Sequence, residues 1–314
     1  MKKIAFHSNQ LSIRGTEVAL YNYAKYNEDI LGNKSVIFSH PNSDLSALKK
    51  FEDRFEVKLL NWYQYEKYLL DNDFDYLYII KMGTNDGYCF KTIKTLVHSV
   101  FRFNDPHGHK YFYVSDWLAK HQGYDPSTHS LPHICEPLPE VNYNLRDKYD
   151  IPQNATVFGG YGGSKEFNID FVKRAIEDVV KQYENIYFMF MNFDKFTDHP
   201  NVLFLPSTYD LNEKSSFVNS CDAMIHARSG GETFGLSISE FALENKPIIT
   251  YGESVERAHI EIMGERAITY KNYEDVIDIF KDLSKYKKYD DYSLPYKQFS
   301  PKIIMDKFNK VFLT

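Results

Sequence analysis

The feature that most constrains this chain is a rhythm. Short apolar runs alternate with longer amphipathic stretches, the rhythm stops at a proline-rich segment, and then it restarts. The first series predicts strands at Ile4–Ser8, Ser35–Ser39, Val57–Leu60, Tyr76–Ile80, Thr95–His98 and Tyr111–Val114, with helices such as Glu17–Tyr26 and Trp62–Leu70 between them. Residues 131–139, LPHICEPLP, carry three prolines and read as an extended connector. The second series predicts strands at Thr156–Gly159, Tyr187–Met191, Val202–Leu205, Ala223–His226, Ile248–Tyr251 and Ala267–Tyr270, with a helix at Phe171–Val180. Strand–helix alternation predicts parallel sheets covered by helices. The expected class is α/β, with two Rossmann-like lobes facing a cleft. The first lobe is expected over 1–138 and the second over 139–300. A final helix, Pro301–Phe312 within segment 301–314, is placed to pack back on the first lobe.

Composition narrows the function. A chain of 314 residues suits two ordinary cores. A net charge of -6 argues against a general nucleic-acid binder, whose footprint is a basic excess. Cys89, Cys135 and Cys221 lack CxxC spacing, so neither a disulfide framework nor a zinc site is expected, and a reducing compartment fits. In MKKIAFHSNQ the apolar run ends at His7, before a signal-peptide core can form. No stretch approaches the roughly 20 apolar residues of a membrane span. These features predict a cytoplasmic protein without a transmembrane segment, and leave peripheral membrane contact open.

The densest chemical signal is DAMIHARSGGETFGLSISEFALENKPIITY, Asp222 to Tyr251. A buried-type strand runs into a glycine-rich loop, then a helix, then a stop at Asn245-Lys246-Pro247 and another strand. Gly230, Gly231 and Gly235 let the backbone approach a ligand, and the free N–H groups of the helix suit an anionic phosphate. Glu232 lies in the loop. Glu240, eight residues on, falls on a partly apolar helix face, where a carboxylate needs hydrogen-bond donors. Ribose hydroxyls would serve; so would a core arginine or a backbone amide.

This segment resembles the E-x7-E signature of retaining glycosyltransferases with the GT-B fold, in the family often called GT4. GGETFGLSISEFALENKPII is similar to that family's EGFGL…EA…G.PV pattern. The resemblance implies that Glu240 binds the donor ribose and Glu232 the hydroxyls of the donor sugar. It also implies that the backbone at Phe234, Gly235 and Leu236 meets sugar or phosphate.

VFGGYGGSKEF, Val157 to Phe167, is similar to the family's strand end with G-R-x4-K-G. Lys165 takes the lysine position, Gly160 stands where the family has arginine, and Glu166 replaces a glycine. One of two diphosphate cations is then missing unless Lys173, Arg174 or Arg228 reaches in. A plain tight turn is the alternative reading of the glycines. Arg14-Gly15-Thr16-Glu17 is similar to the family's GGxE loop, whose amides, here at Gly15 and Thr16, approach a phosphate from the opposite wall. The same loop can be a helix cap made by Thr16 or Ser12. In the family a histidine at the end of a first-lobe strand contacts the sugar; His98 holds that position best, and His107 competes. YVSDWLAKHQG, Tyr113 to Gly123, resembles the family's VSEWL segment.

Asp73-Phe74-Asp75 mimics a DxD metal motif but is read as the end of a helix entering a strand, and no metal site or other cofactor is expected. The resemblance implies a retaining, metal-independent, hexosyltransferase-type enzyme. Its donor would be a nucleoside-diphosphate sugar of UDP or GDP type, and its acceptor a glycan, lipid or other small molecule. The catalytic set is Glu232, Lys165 and His98; the donor-binding set is Glu240, Gly15, Thr16, Phe234, Gly235, Leu236 and Gly160. A degenerate nucleotide-sugar-binding module and a sugar-nucleotide epimerase are the rival readings.

Overall fold

Parallel pairing runs through both large sheets of the computed structural model, which describes residues 1–313. The chain divides into two compact units, Met1–Ile134 together with the segment from Phe299, and Cys135–Gln298.

The first unit carries β1 (Lys3–His7), β2 (Lys34–Ser39), β3 (Glu56–Leu59), β4 (Tyr76–Lys81), β5 (Lys94–Ser99) and β6 (Lys110–Tyr113), in the order β3-β2-β1-β4-β5-β6. Its helices are α1 (Gly15–Asp29), α2 (Leu48–Glu52), α3 (Trp62–Asp71), α4 (Asp116–His121) and α5 (Pro126–His129). The second unit carries β7 (Thr156–Tyr161), β8 (Ile186–Met191), β9 (Val202–Leu205), β10 (Ala223–His226), β12 (Ile248–Tyr251) and β14 (Ala267–Tyr270), in the order β14-β12-β10-β7-β8-β9. A two-residue pair, β11 (Gly231–Glu232) and β13 (Glu256–Arg257), stands apart. The helices here are α6 (Asp170–Gln182), α7 (Leu211–Ser220), α8 (Leu236–Leu243), α9 (Ala258–Met263), α10 (Tyr273–Lys281) and α11 (Leu294–Lys297). Each predicted sheet strand is present, with its ends shifted by at most two residues.

Counted within each unit, both sheets follow the strand order 3-2-1-4-5-6, that of the Rossmann fold. The order reverses direction beside the first strand, and at that reversal the carboxyl ends of two strands open a crevice where ligands bind. In the second unit this point lies between β7 and β10, paired through Ala223 with Phe158 and Met224 with Gly159. Both strands are covered on two faces, so they read as apolar runs. A Cβ on Gly159 would meet Cys221 Sγ at 2.2 Å, and one on Gly160 would meet the Ile225 carbonyl oxygen at 2.7 Å. Only glycine fits at either position.

The last helix, α12 (Pro301–Phe312), belongs to the first unit. Phe308 lies 5.4 Å from the ring of Tyr23 and 5.8 Å from that of Tyr78, and Phe312 lies 4.8 Å from Phe112. Tyr76 Oη donates to the Leu313 carbonyl at 3.1 Å. Among the described residues no helix is long and apolar enough to cross a membrane. The Asp73–Asp75 stretch is the turn from α3 into β4. Asp73 has φ 54° and the Asp75 carboxylate accepts the Lys3 amide at 2.7 Å.

Because Phe308 is fully buried among aromatic rings, Phe308→Ala should cost about 3–5 kcal/mol of first-unit stability. Denaturant unfolding followed by tyrosine fluorescence would read it, and a loss below about 1 kcal/mol would contradict this docking of α12.

Candidate functional site

The carboxyl end of β10 leads directly into chemistry. His226 is its last residue, Arg228 follows after one alanine, and the chain then turns through Gly230 and Gly231 to Glu232. Gly231 has φ 71°, and a Cβ there would sit 1.9 Å from the Glu256 carbonyl oxygen, so the loop presses against β13 in a way no other residue allows. Gly235 caps α8 with φ 94° and turns the chain from the loop into the helix. The first amides of α8, from Leu236 onward, have no intrahelical acceptor and form a partial positive end. Phe234 is buried and packs edge-on toward Tyr296, which anchors the loop from below.

Glu232 is held from two sides. Arg228 Nη1 lies 3.0 Å from its Oε2, and His226 Nε2 lies 3.3 Å from its Oε1. Burial by itself would raise the pKa of this carboxyl. The hydrogen bond from His226 and the charge of Arg228 outweigh it and hold the pKa down at about 2. The group is therefore an ionised acceptor at neutral pH, and His226 turns a donating Nε2 toward it. Behind that ring, His226 Nδ1 and Thr250 Oγ1 are 2.9 Å apart, and Thr250 Oγ1 and His259 Nε2 are 2.9 Å apart. Tyr270 Oη donates to the His226 carbonyl at 2.9 Å. Burial, helped by the neighbouring His226, pulls the His259 pKa down to about 3 and keeps the ring neutral.

Glu240 lies one helix away and has found a donor already. Lys214 Nζ, from α7, sits 3.2 Å from Oε1 and 3.1 Å from Oε2, with both side chains little exposed. A cationic core partner, the alternative to ribose hydroxyls, is thus present and is a lysine where an arginine was considered. Lys214 also stands 5.1 Å over the ring of Tyr161, the last residue of β7.

Lys165 is exposed in the loop after β7. That loop is pinned to the exit of β10: Asn168 N donates to the Ala227 carbonyl at 2.9 Å, and Ser229 N donates to Asn168 Oδ1 at 2.8 Å. Its Glu166 pairs with Arg228 Nε. Of the three cations considered for the missing charge, Lys173 pairs with Asp170 on its own helix at 3.6 Å, and Arg174 is exposed on α6. Arg228 alone is brought to Glu232. The structure thus gathers Gly160, Lys165, Glu232, Phe234, Gly235, Leu236 and Glu240 around the carboxyl ends of β7 and β10 and the start of α8.

First-unit candidates fare differently. Gly15 and Thr16 are the first residues of α1. Neither Thr16 nor Ser12 caps the helix; Ser12 Oγ instead donates to Glu17 Oε2 at 2.9 Å, and Ser8 Oγ donates to Glu17 Oε1 at 2.8 Å. Burial raises the Glu17 pKa against these bonds. Glu17 is a buried polar anchor that its sequence position did not reveal. His98 has no solvent exposure. Its Nδ1 and the Tyr78 hydroxyl are 2.7 Å apart, its ring packs on Tyr23 and His133, and burial drives its pKa down to about 3. Expected from the resemblance to contact the sugar, His98 lies enclosed at its strand end by the rings of Tyr23, Tyr78 and His133. His107 is half-buried in its loop, with Nε2 3.3 Å from Lys81 Nζ. Lys81, buried at the end of β4 and paired with Asp86, was missed because a lysine ending an apolar run reads as solvent-facing.

Comparison with known proteins supports the architecture. No family model and no curated protein matches the sequence. The fold is similar to that of a glycosyltransferase from Rickettsia africae, with a TM-score of 0.73 at 13% identity over 99% of this chain and 97% of the other. It is equally similar to Anabaena HepE in complex with UDP-glucose, with a TM-score of 0.73 at 12% identity over 99% of both chains. A Listeria monocytogenes protein assigned as a UDP-N-acetylglucosamine 2-epimerase aligns with a TM-score of 0.63 at 11% identity, over 100% of this chain and 98% of that one. Two parallel-sheet α/β domains of the GT-B class are what these structures have in common with this chain.

Buried neutral histidines make stability pH-dependent. His7 is held down to about 4, His98 and His259 to about 3, and His133 well below its ordinary value, in each case first by burial. Their folded pKa values lie below the unfolded one, so the unfolded chain takes up protons first as pH falls below about 6.5. Stability is full above that value and falls by about 1.4 kcal/mol per pH unit for each such histidine. The melting temperature should drop steadily from pH 6.5 to 4.5, and His259→Gln should flatten the slope. A profile flat across that range would contradict the neutral assignment.

Proposed function

We propose that this chain is a glycosyltransferase that moves a sugar from a nucleoside-diphosphate sugar to an acceptor with retention of configuration. The observation that carries the reading is the ionised Glu232 at the strand-order reversal, eight residues before Glu240 and separated from it by the open amide end of α8. A carboxylate so fixed accepts hydrogen bonds from sugar hydroxyls without reorganising, while the adjacent amides receive phosphate. Glu240, carried by the same helix and held in place by Lys214, serves the ribose. Lys165 and the α8 amides carry the charge that develops on the leaving diphosphate, so transfer proceeds without a metal. The solved structure of HepE with UDP-glucose, on the same architecture, supports a nucleotide-sugar donor. The acceptor class stays open among glycans, lipids and other small molecules.

A sugar-nucleotide epimerase is the second reading, favoured by the likeness to the Listeria protein. Incubating a nucleotide sugar alone separates the two: an epimerised sugar without acceptor would support the second and sink the first.

Glu240→Gln should weaken nucleotide binding about tenfold, since a charge-assisted hydrogen bond is replaced by a neutral one. Lys165→Ala should chiefly lower kcat, by about 10²-fold. Calorimetry and steady-state kinetics with a panel of UDP-, GDP- and ADP-sugars would read both; unchanged affinity and turnover in Glu240→Gln would remove the assignment. Transfer should also persist after dialysis against EDTA, and loss restored by a divalent cation would overturn the metal-independent mechanism.

A further inference from the structure

Two departures from the resembled pattern, Gly160 in place of arginine and Glu166 in place of glycine, meet at one side chain. Strand β7 cannot supply a cation at 160, because any Cβ there collides with the Ile225 carbonyl. Arg228 stands across the same point, at the exit of β10. Its Nε is taken by Glu166 and its Nη1 by Glu232, and the charge of Glu256 acts on it as well. The two carboxylates are not equivalent. Glu232 is largely covered and bonded also to His226, so it is a fixed anchor. Glu166 is 41% exposed, hangs from a loop that also carries Lys165, and has Arg228 as its ionic partner. Its side chain lies against Gly163, where a Cβ would come 2.9 Å from Glu166 Cγ.

We propose that Arg228 is the second diphosphate-binding cation, and that Glu166 is its intramolecular placeholder, exchanged for a donor phosphate oxygen when the nucleotide sugar binds. The inference rests on the nucleotide-sugar reading above and names the residue that completes its charge. A guanidinium presents a planar fork suited to phosphate, and Glu232 fixes that fork from the side away from Glu166. Since Glu232 faces the sugar in this reading, Arg228 takes the phosphate nearest the sugar, the one that a nucleoside monophosphate lacks. Glu166 gives the empty site a counter-ion. Its displacement into water costs less than breaking a buried pair would, because the Glu166 side chain already reaches solvent.

The test is calorimetry of the full chain with UDP, UMP, GDP and GMP at fixed salt. Arg228→Gln should weaken binding of the preferred diphosphate about 10- to 100-fold while changing the matching monophosphate less than about threefold. Glu166→Gln should tighten the diphosphate about two- to fivefold, since a competing anion is gone. A purely structural role for the Arg228–Glu166 pair predicts no tightening. An unchanged diphosphate-to-monophosphate ratio in Arg228→Gln, or weaker diphosphate binding in Glu166→Gln, overturns the inference. Should Arg228→Gln not fold, Glu166→Gln decides alone, because it alters only an exposed carboxylate. If wild-type protein binds none of the four nucleotides, the nucleotide-sugar reading falls and this inference with it. If wild type binds and the variants match it, this inference alone falls.

Discussion

At the strand-order reversal of the second unit the Ile225 carbonyl of β10 leaves room only for glycine at 160 of β7, and Cys221, at the end of α7, crowds position 159 in the same way. Much else follows from that contact. Two positions without side chains, just before Tyr161 ends β7, leave an open floor there, and groups that act on a ligand come largely from the loops on either side. The β7 loop is tied to the β10 exit through Asn168 and Ala227, so Glu166 is brought to Arg228, while Lys165 on the same loop faces solvent. The glycines are thus a condition for the site as well as for the sheet.

A second consequence concerns direction. Glu232 can only accept hydrogen bonds when ionised, so it requires a donating Nε2 from His226, and Thr250 and His259 hold that ring from behind. The network spans β10, β12 and α9, so three elements position the partner of one carboxylate. Such ordering lets a partly buried charge exist where desolvation opposes it, with a neutral His259 at the inner end.

How much of this was legible beforehand differs by scale. The twelve sheet strands could be read because parallel strands buried on both faces leave uninterrupted apolar runs. The two-residue pair of β11 and β13 could not, since it exists only because Gly231 lets the loop lie on Glu256. At the site, the E-x7-E spacing and the glycine-rich turn identified the loop, for those are local features of sequence. The partners were not local: Lys214 meets Glu240 across 26 positions, and Arg228 meets Glu166 from another strand. His98 shows the same limit from the other side. A histidine at a strand end looks alike in sequence whether open or enclosed, and the rings that close over it come from Tyr23, Tyr78 and His133.

The return of α12 to the first unit has a consequence for how the molecule comes to be folded. The second unit is continuous, Cys135–Gln298, whereas the first is assembled from two stretches that flank it. During synthesis from the amino end, the second unit has its whole sequence available before Phe308 and Phe312 have been made. Until then the first unit presents Phe6, Tyr23, Tyr78 and Phe112 without their α12 partners. The earlier half of the chain is therefore the later one to finish, and its unfinished aromatic face is where a nascent or truncated chain would aggregate.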